Sequence, residues 1–497
     1  MKVIILLILI KIPHLIFAQT PTIEWQKSIG GSSKDIAEKI ILTSNGEYMI
    51  AGYSLSGNFD IPSNVGQNDI FVCKFNRFGQ IIWKKSYGGI GDDLATGIVE
   101  IDNGFIVCGT SIGGNNDFFS SYVHTDIVLL RLNQNGELIW KKNFGGSDND
   151  YCKTIIKTAD NNLLLVGHSQ SNDNDISGNI GNLDGLVLKI DVNGLIIWQK
   201  IFGGLSNDYF NSVAQTTDSG FVVVGTSNSS AWGNYGMDDA WLIKINQNGL
   251  LEWQNHFGGT ANDKFLSVVQ LNDGKYVATG DTYSYDYDSI ENHGISLNRD
   301  CLVVKIANNG QKEWSKCFGG SSEDDGRSLV QSTDNNLVIL CQIHSNDGDI
   351  YPAMNGEADY WLIKLNSNGT ILWKRAYGGS GHEVAKGILQ TSDNGFIFVG
   401  DSYSVDSGDI TGNHGDDDIW VAKLTAQENC YPILNLDKTI YQENTTFQSS
   451  TIINSHSKII NSSSNIQYKA QKSIILTNGF EVKQGNVFGA EIGVCEN

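Results

Sequence analysis

The side chains best suited to bind or react fall in loops between short apolar runs, and those loops are of two kinds. The first is acidic: NFDIPSNVGQND, NDNDISGNIGNLD, NDGDIYPAMNGEAD and VDSGDITGNHGDDD. Asp60, Asp175, Asp349 and Asp409 share an Asp-Ile position, with Asp173, Asp347 and Asp406 just ahead of it in three of the loops. Carboxylates spaced this way, beside Asn and Gly, offer the oxygen ligands that Ca²⁺ prefers, although none forms the calcium loop that ends in a bidentate Glu. Asx turns and solvated loops account for the same composition, so calcium is one of two readings. The second kind is aromatic: NNDFFSSYVHTD, NSSAWGNYGMDD and DTYSYDYDSIENHG. Phe118, Phe119, Tyr122, Trp232, Tyr235, Tyr283, Tyr285 and Tyr287 stand where polar loop residues are usual. Aromatic faces beside Asp and Asn suit stacking on sugars or docking a protein partner, and also suit packing of long loops on each other.

Motifs for catalysis are weak. The chain has no Gly-x-Ser-x-Gly elbow, no His-Glu-x-x-His and no phosphate loop. Its nine histidines are dispersed. Paired carboxylates are plentiful, but in an acidic chain they carry little specificity. Binding or adhesion through the loops is therefore the expected function. A polysaccharide-active enzyme, lyase or hydrolase, is the alternative, and a structural spacer in a surface assembly is the third reading.

The elements that position these loops are set by a repeat. EWQKSIGG at Glu24 returns as IWKKSYGG, IWKKNFGG, IWQKIFGG, EWQNHFGG, EWSKCFGG and LWKRAYGG. The tryptophans are Trp25, Trp83, Trp140, Trp198, Trp253, Trp314 and Trp373, and an acid follows each Gly-Gly: Asp35, Asp93, Asp150, Asp208, Asp263, Asp324 and Glu383. Each unit contains four short runs rich in Val, Ile and aromatics, broken by Asn-Gly or Asp-Gly turns, which reads as antiparallel hairpins. Four strands per repeat, with no helical periodicity, predict a propeller blade, and seven units predict a seven-bladed all-β ring. The last unit stops at DIWVAKLT without a Trp strand, whereas the stretch around Trp25 has no blade of its own. Pairing the two closes the ring and removes two open sheet edges. Trp and the following aromatic are expected to pack between blades, and the acid after Gly-Gly to accept N–H groups in the turn.

Bulk properties narrow the class. The chain has 497 residues and a formal net charge of -21, which disfavours nucleic acid and anionic membrane surfaces as partners. MKVIILLILIKIPHLIFAQT has a basic start, an apolar stretch and a small residue at Ala18, the pattern of a secretory signal peptide over residues 1–18. The protein is thus expected to be exported, secreted or held at the outer cell surface, with no transmembrane segment after cleavage. The propeller is expected over residues 19–428 and a C-terminal β-rich module over 429–497. Eight cysteines in an exported chain make disulfides available. Cys430 and Cys495 bracket the last segment and are the expected bridge. Cys301 and Cys317 lie on neighbouring arms of one hairpin, and counting across its turn allows a second. Cys73, Cys108, Cys152 and Cys341 sit in or beside apolar strands and are expected as buried thiols.

The Gly-Gly-x-x-x-Asp turn, the GFVVVGTS-like second strand and the DAWLIKINQNG-like third strand resemble the SBBP-type β-propeller repeats of bacterial exported proteins over about residues 22–425. That resemblance implies fold more than activity, because propellers host many functions. The tail, SIILTNGFEVKQGNVFGAEIGVC, resembles a C-terminal module of Bacteroidetes-type surface and secreted proteins. The resemblance implies a stack of short β turns, here a small β-solenoid-like module. Such modules occur beside sorting domains of the type IX secretion route, and no such domain follows before Asn497.

Overall fold

The computed structural model describes residues 20–112, 124–229, 234–289, 291–294, 298–350 and 354–426 in full, and the backbone of the strands between 431 and 492. Residues 22–425 form one compact unit and those from 426 onward belong to a second.

The first unit is a seven-bladed propeller of four-stranded antiparallel sheets, with sequential strand order in blades one to six. Blade one is Asp35–Leu42, Tyr48–Ser54, Asp69–Phe75 and Ile81–Tyr87. The second and third strands are buried on both faces, which is why they read as unbroken apolar runs rather than alternating ones. The first strands of successive blades touch one another in a closed ring around the axis. Blade seven consists of Glu383–Gln390, Phe396–Ser402, Asp418–Leu424 and, from the other end of the propeller sequence, Ile23–Ile29. Ile29 sits opposite Ile419 and Trp25 opposite Lys423, so the predicted closure is present.

Adjacent blades are locked by the outermost strand. The ring of Trp25 lies over Gly79 in the next blade's turn, and its indole N–H donates to Arg77 O at 3.1 Å. Gly79 has φ +76, and a Cβ there would meet the indole at 2.9 Å, so the turn and the packing both call for glycine. Trp83 repeats the contact with Gly136 and Gln134 O. The expected role of the repeated Trp is therefore met. The third-strand lysines, cross-strand partners of the repeated tryptophans, tie down the same end of the blades: Lys74 to Glu47, Lys189 to Asp160 and Lys364 to Asp334, each at 2.7 Å.

The second unit pairs its strands in parallel. Asn444–Ser455 lies beside Tyr431–Leu436 and Asn465–Ala470, and the latter beside Val487–Ile492. A second set of short strands, Thr439–Ile440, Lys458–Ile459 and Glu481–Val482, stacks in the same way. Successive coils that pair parallel and in register give the expected solenoid-like stack.

The hairpin bridge is a correction. Cys301 lies opposite Phe318, and Cys317 lies opposite Leu302, so the two side chains leave opposite faces of the sheet. Cys301 is buried with Cys341, whose sulfur is 3.6 Å away, and Cys317 is buried in a different core cluster. Among the described residues every cysteine is a free, buried thiol, including Cys73, Cys108, Cys152 and Cys341. Cys430, Cys495 and residues 1–18, where a signal peptide is expected, lie outside the described residues.

Candidate functional site

The Gly-Gly turns and the long loops between second and third strands emerge on the same end of the blades, and the loops are built around the turns. The acid after each Gly-Gly accepts the N–H of the second glycine: Asp35 from Gly31 at 2.6 Å, Asp150 from Gly146 at 2.8 Å and Glu383 from Gly379 at 2.9 Å. Serine hydroxyls from the second strand and the loop complete the cage, as Ser56 does for Asp35 at 2.9 Å and Ser345 for Asp324 at 2.7 Å. These carboxyls lie in buried positions, and burial disfavours the charged form of a carboxylic acid. It pushes Asp35 and Asp263 up to about 6 and Asp324 up to about 7.

The acidic loops have a structural explanation at the atomic level. Asp173 accepts the N–H of Ser147 at 2.8 Å and Asp347 that of Ser321 at 2.7 Å. Asn58 does the same for Ser32 at 2.9 Å, and the Ser407 hydroxyl for Ser380 at 2.9 Å. A position that accepts Asp, Asn and Ser alike needs a hydrogen-bond acceptor, not a charge. Asp406 accepts from Gly412 N–H at 2.7 Å. In the shared Asp-Ile pair the backbone N–H of the Asp donates to the Gly-Gly turn: Asp60 to Gly30 O at 3.0 Å, Asp175 to Gly145 O at 3.3 Å, Asp349 to Gly319 O at 2.8 Å and Asp409 to Gly378 O at 2.9 Å. The following Ile61, Ile176, Ile350 and Ile410 are buried plugs. Among the described residues no three His, Cys, Asp or Glu side chains converge to hold a metal ion.

The aromatic loops divide. Phe118, Phe119, Tyr122 and Trp232 lie outside the described residues. Tyr235 of blade four and Tyr287 of blade five stack across the blade boundary, with centroids 5.0 Å apart and planes at 30°. They remain 47 % and 58 % exposed, and Tyr285, two residues before Tyr287 in the same loop, is 42 % exposed. The hydroxyl of Tyr285 donates to Gly294 O at 2.8 Å, which fixes its ring. Tyr283 points elsewhere. It is half-buried and accepts from the Arg299 guanidinium at 2.8 Å. Arg299 reaches on to Asp325, which Arg327 also contacts at 2.6 Å, and nearby Asp281 pairs with Lys264 at 3.0 Å. Burial, then the Asp325 charge, pushes Asp281 up to about 7. Burial alone would raise Asp325 too, but Arg327 and Arg299 outweigh it and hold that carboxyl down.

A second group escaped the loop-based reading. Lys34, Glu357, His382, Asp401, Tyr403 and Asp417 line an open cavity of about 530 Å³ where blades one, six and seven come together. Asp401 and Asp417 are 1 % and 0 % exposed, and Oδ1 of each has no hydrogen-bond partner among the described residues. Burial raises both, Asp417 to about 6 and Asp401 well above the carboxylate range. Lys34 faces Asp417 at 3.7 Å. His382 Nε2 lies 3.3 Å from His344 Nε2, and His344 Nδ1 lies 3.0 Å from Glu323 O. His344 Nδ1 donates to that carbonyl, and burial, then the neighbouring His344, lowers the pKa of His382. The signal was legible in part: Asp401 occupies the second-strand position held by Tyr53, Thr110, His168, Thr226 and Gln342 in other blades, and by a second acid, Asp281, in blade five.

In comparisons with known proteins, no family profile matches the sequence and no curated protein is similar to it. Solved structures with a similar fold include a protein of unknown function from Dyadobacter fermentans, at 12% identity and TM-score 0.41, with 82% of this chain and 99% of that one covered. BamB from Moraxella catarrhalis is similar at 12% identity and TM-score 0.37, covering 81% and 99%. The phage phi92 endosialidase is similar at 10% and 0.39, covering 81% and 69%. No functional argument follows from likeness of this degree.

Proposed function

We propose that the chain is an exported binding protein, secreted or held at the outer cell surface, that recognises a glycan through the loop-bearing face of its propeller. The observation that carries this reading is the Tyr235–Tyr287 stack, two half-exposed rings fixed across a blade boundary, with the exposed Tyr285 in the same loop as Tyr287. An aromatic face held open to water supports stacking on the apolar face of a sugar, and Asp and Asn in the same loops supply hydrogen bonds to its hydroxyls. The leader-like N-terminus, the acidic surface and the SBBP-type resemblance support export. No helix among the described residues is long and apolar enough to cross a membrane. A glycan array probed with the protein, with calcium and with chelator, tests the reading. Selective binding is expected, and an array blank in both conditions would shift the search to a protein partner.

The cavity at Asp401 and Asp417 favours a second reading, a polysaccharide-active enzyme. A carboxyl held at about 6 by burial can donate a proton near neutral pH, with Tyr403 and His382 in the same cavity. Turnover of a polysaccharide abolished by Asp417→Asn would establish it; saturable binding with no turnover would remove it.

A further inference from the structure

The first strands of all seven blades line a cavity of about 370 Å³ on the axis of the ring. Each of these strands carries a β-bulge at the same place, and a bulge re-aims the extra side chain. Elsewhere the seven repeats keep their key positions alike. At the bulge they differ: Glu38 in blade one, Lys153 in three, Leu266 in five, Arg327 in six and Lys386 in seven. Scaffold positions are expected to repeat in a symmetric ring, so a ring of unlike residues facing one cavity points to a ligand without sevenfold symmetry.

The charge of this cavity runs against that of the chain. Lys39, Lys153, Arg327 and Lys386 face it together with one carboxylate, Glu38, in a protein of formal net charge -21. Two of the cations are neutralised locally, Lys386 by Glu38 at 2.6 Å and Arg327 by Asp325 at 2.6 Å. The side chains of Lys39 and Lys153 have neither an ion pair nor a hydrogen bond among the described residues. Protein surrounds the Lys39 ammonium closely enough that desolvation lowers its pKa. An ammonium in such a place is costly without a counter-charge. Next to the bulges, the hydroxyls of Ser212, Ser267 and Ser328 also line the cavity. Ammonium groups and hydroxyls converging without their own acceptors form a donor set for carboxylate or phosphate oxygens.

We propose that the axial cavity binds a small polyanion, a polycarboxylate or a phosphorylated compound, held by Lys39 and Lys153 with the serine hydroxyls. Its volume lies near the low end of the roughly 300–1,000 Å³ that encloses small ligands. This proposal is independent of the tyrosine surface.

The test is calorimetric titration of the full chain with citrate and, separately, with pyrophosphate, at an ionic strength held constant with sodium chloride. Saturable one-to-one binding of at least one probe is expected, and the two probes distinguish the carboxylate from the phosphate source. Lys39→Met and Lys153→Met should each weaken it about ten- to a hundred-fold, the weight of one charge-assisted hydrogen bond. Lys157→Met, at the far end of the same strand as Lys153, should leave it unchanged. No heat with either probe, heat that tracks chloride displacement alone, or unaltered binding in Lys153→Met would overturn the proposal. Lys153 is an exposed side chain, so its variant decides the matter even where Lys39→Met folds poorly.

Discussion

Two kinds of acid separate at the level of single residues. Asp324 is buried and accepts from Gly320 N–H and the Ser345 hydroxyl. Asp324→Ala strands these donors together with the His344 and Ser345 N–H groups, and a destabilisation of about 1–3 kcal/mol is expected in denaturant unfolding. Asp173 and Asp347 sit in positions that Asn58 and Ser407 fill elsewhere. Asp173→Asn and Asp347→Asn should therefore change the melting temperature by no more than about 1 °C, with or without calcium. A calcium-dependent drop of several degrees in either variant would restore them as ligands. The sequence displayed the carboxylates but not this interchangeability, because the loops differ in length and only the folded turn shows which oxygen meets which N–H.

The strand Ile23–Ile29 is the element on which the ring depends. It is the fourth strand of blade seven, and Thr22 O accepts the N–H of Thr425 at 2.9 Å where the two ends of the propeller meet. Removing residues up to Ile29 exposes the edge of Asp418–Leu424 and strips Trp25 from Gly79. The truncated chain should aggregate, as read by light scattering, and a second copy of the strand placed after Thr425 behind an Asn-Gly turn should restore a soluble, cooperatively melting protein. A truncated chain that stays monomeric with an unchanged melt would contradict this role. Closure was legible because the repeat count left one strand over at each end. The Cys301–Cys317 pairing went astray because Ile306 and Lys312 pair across a register shift in that hairpin, so counting back from the turn misassigns the faces.

At the scale of the whole molecule, the distribution of raised carboxyls sets the response to pH. Asp35, Asp263 and Asp417 are pushed up to about 6, and Asp239, Asp281, Asp324 and Asp359 to about 7, burial being the largest cause in each. Such groups titrate near 3.9 in an unfolded chain, so between about pH 4 and 7 the folded state binds more protons. Their contribution is present at the acid end of that window and is lost as pH rises through 6 and 7. Groups held low by lysines, such as Asp334 at about 2, begin to cost stability only below about pH 4. The melting temperature is therefore expected to rise from pH 8 to a maximum near pH 5 and to fall below pH 4. A profile that is flat or falls between pH 8 and 5 would show that these carboxyls are ionised without penalty. Repetition made the blades legible in the sequence and also hid the sites. The loops attracted attention because they vary openly, while Asp401 and the bulge residues vary inside strands that otherwise look alike.

The central functional claim rests on two rings, and one measurement addresses it directly: the affinity of the best array glycan for the intact protein and for Tyr235→Ala and Tyr287→Ala, with melting temperatures recorded alongside. Loss of at least about tenfold in each variant, at unchanged melting temperature, is the predicted result, given stacking worth roughly 1–3 kcal/mol per ring by analogy with bases on aromatics. Binding that survives both substitutions would place recognition elsewhere on the molecule and contradict the proposal.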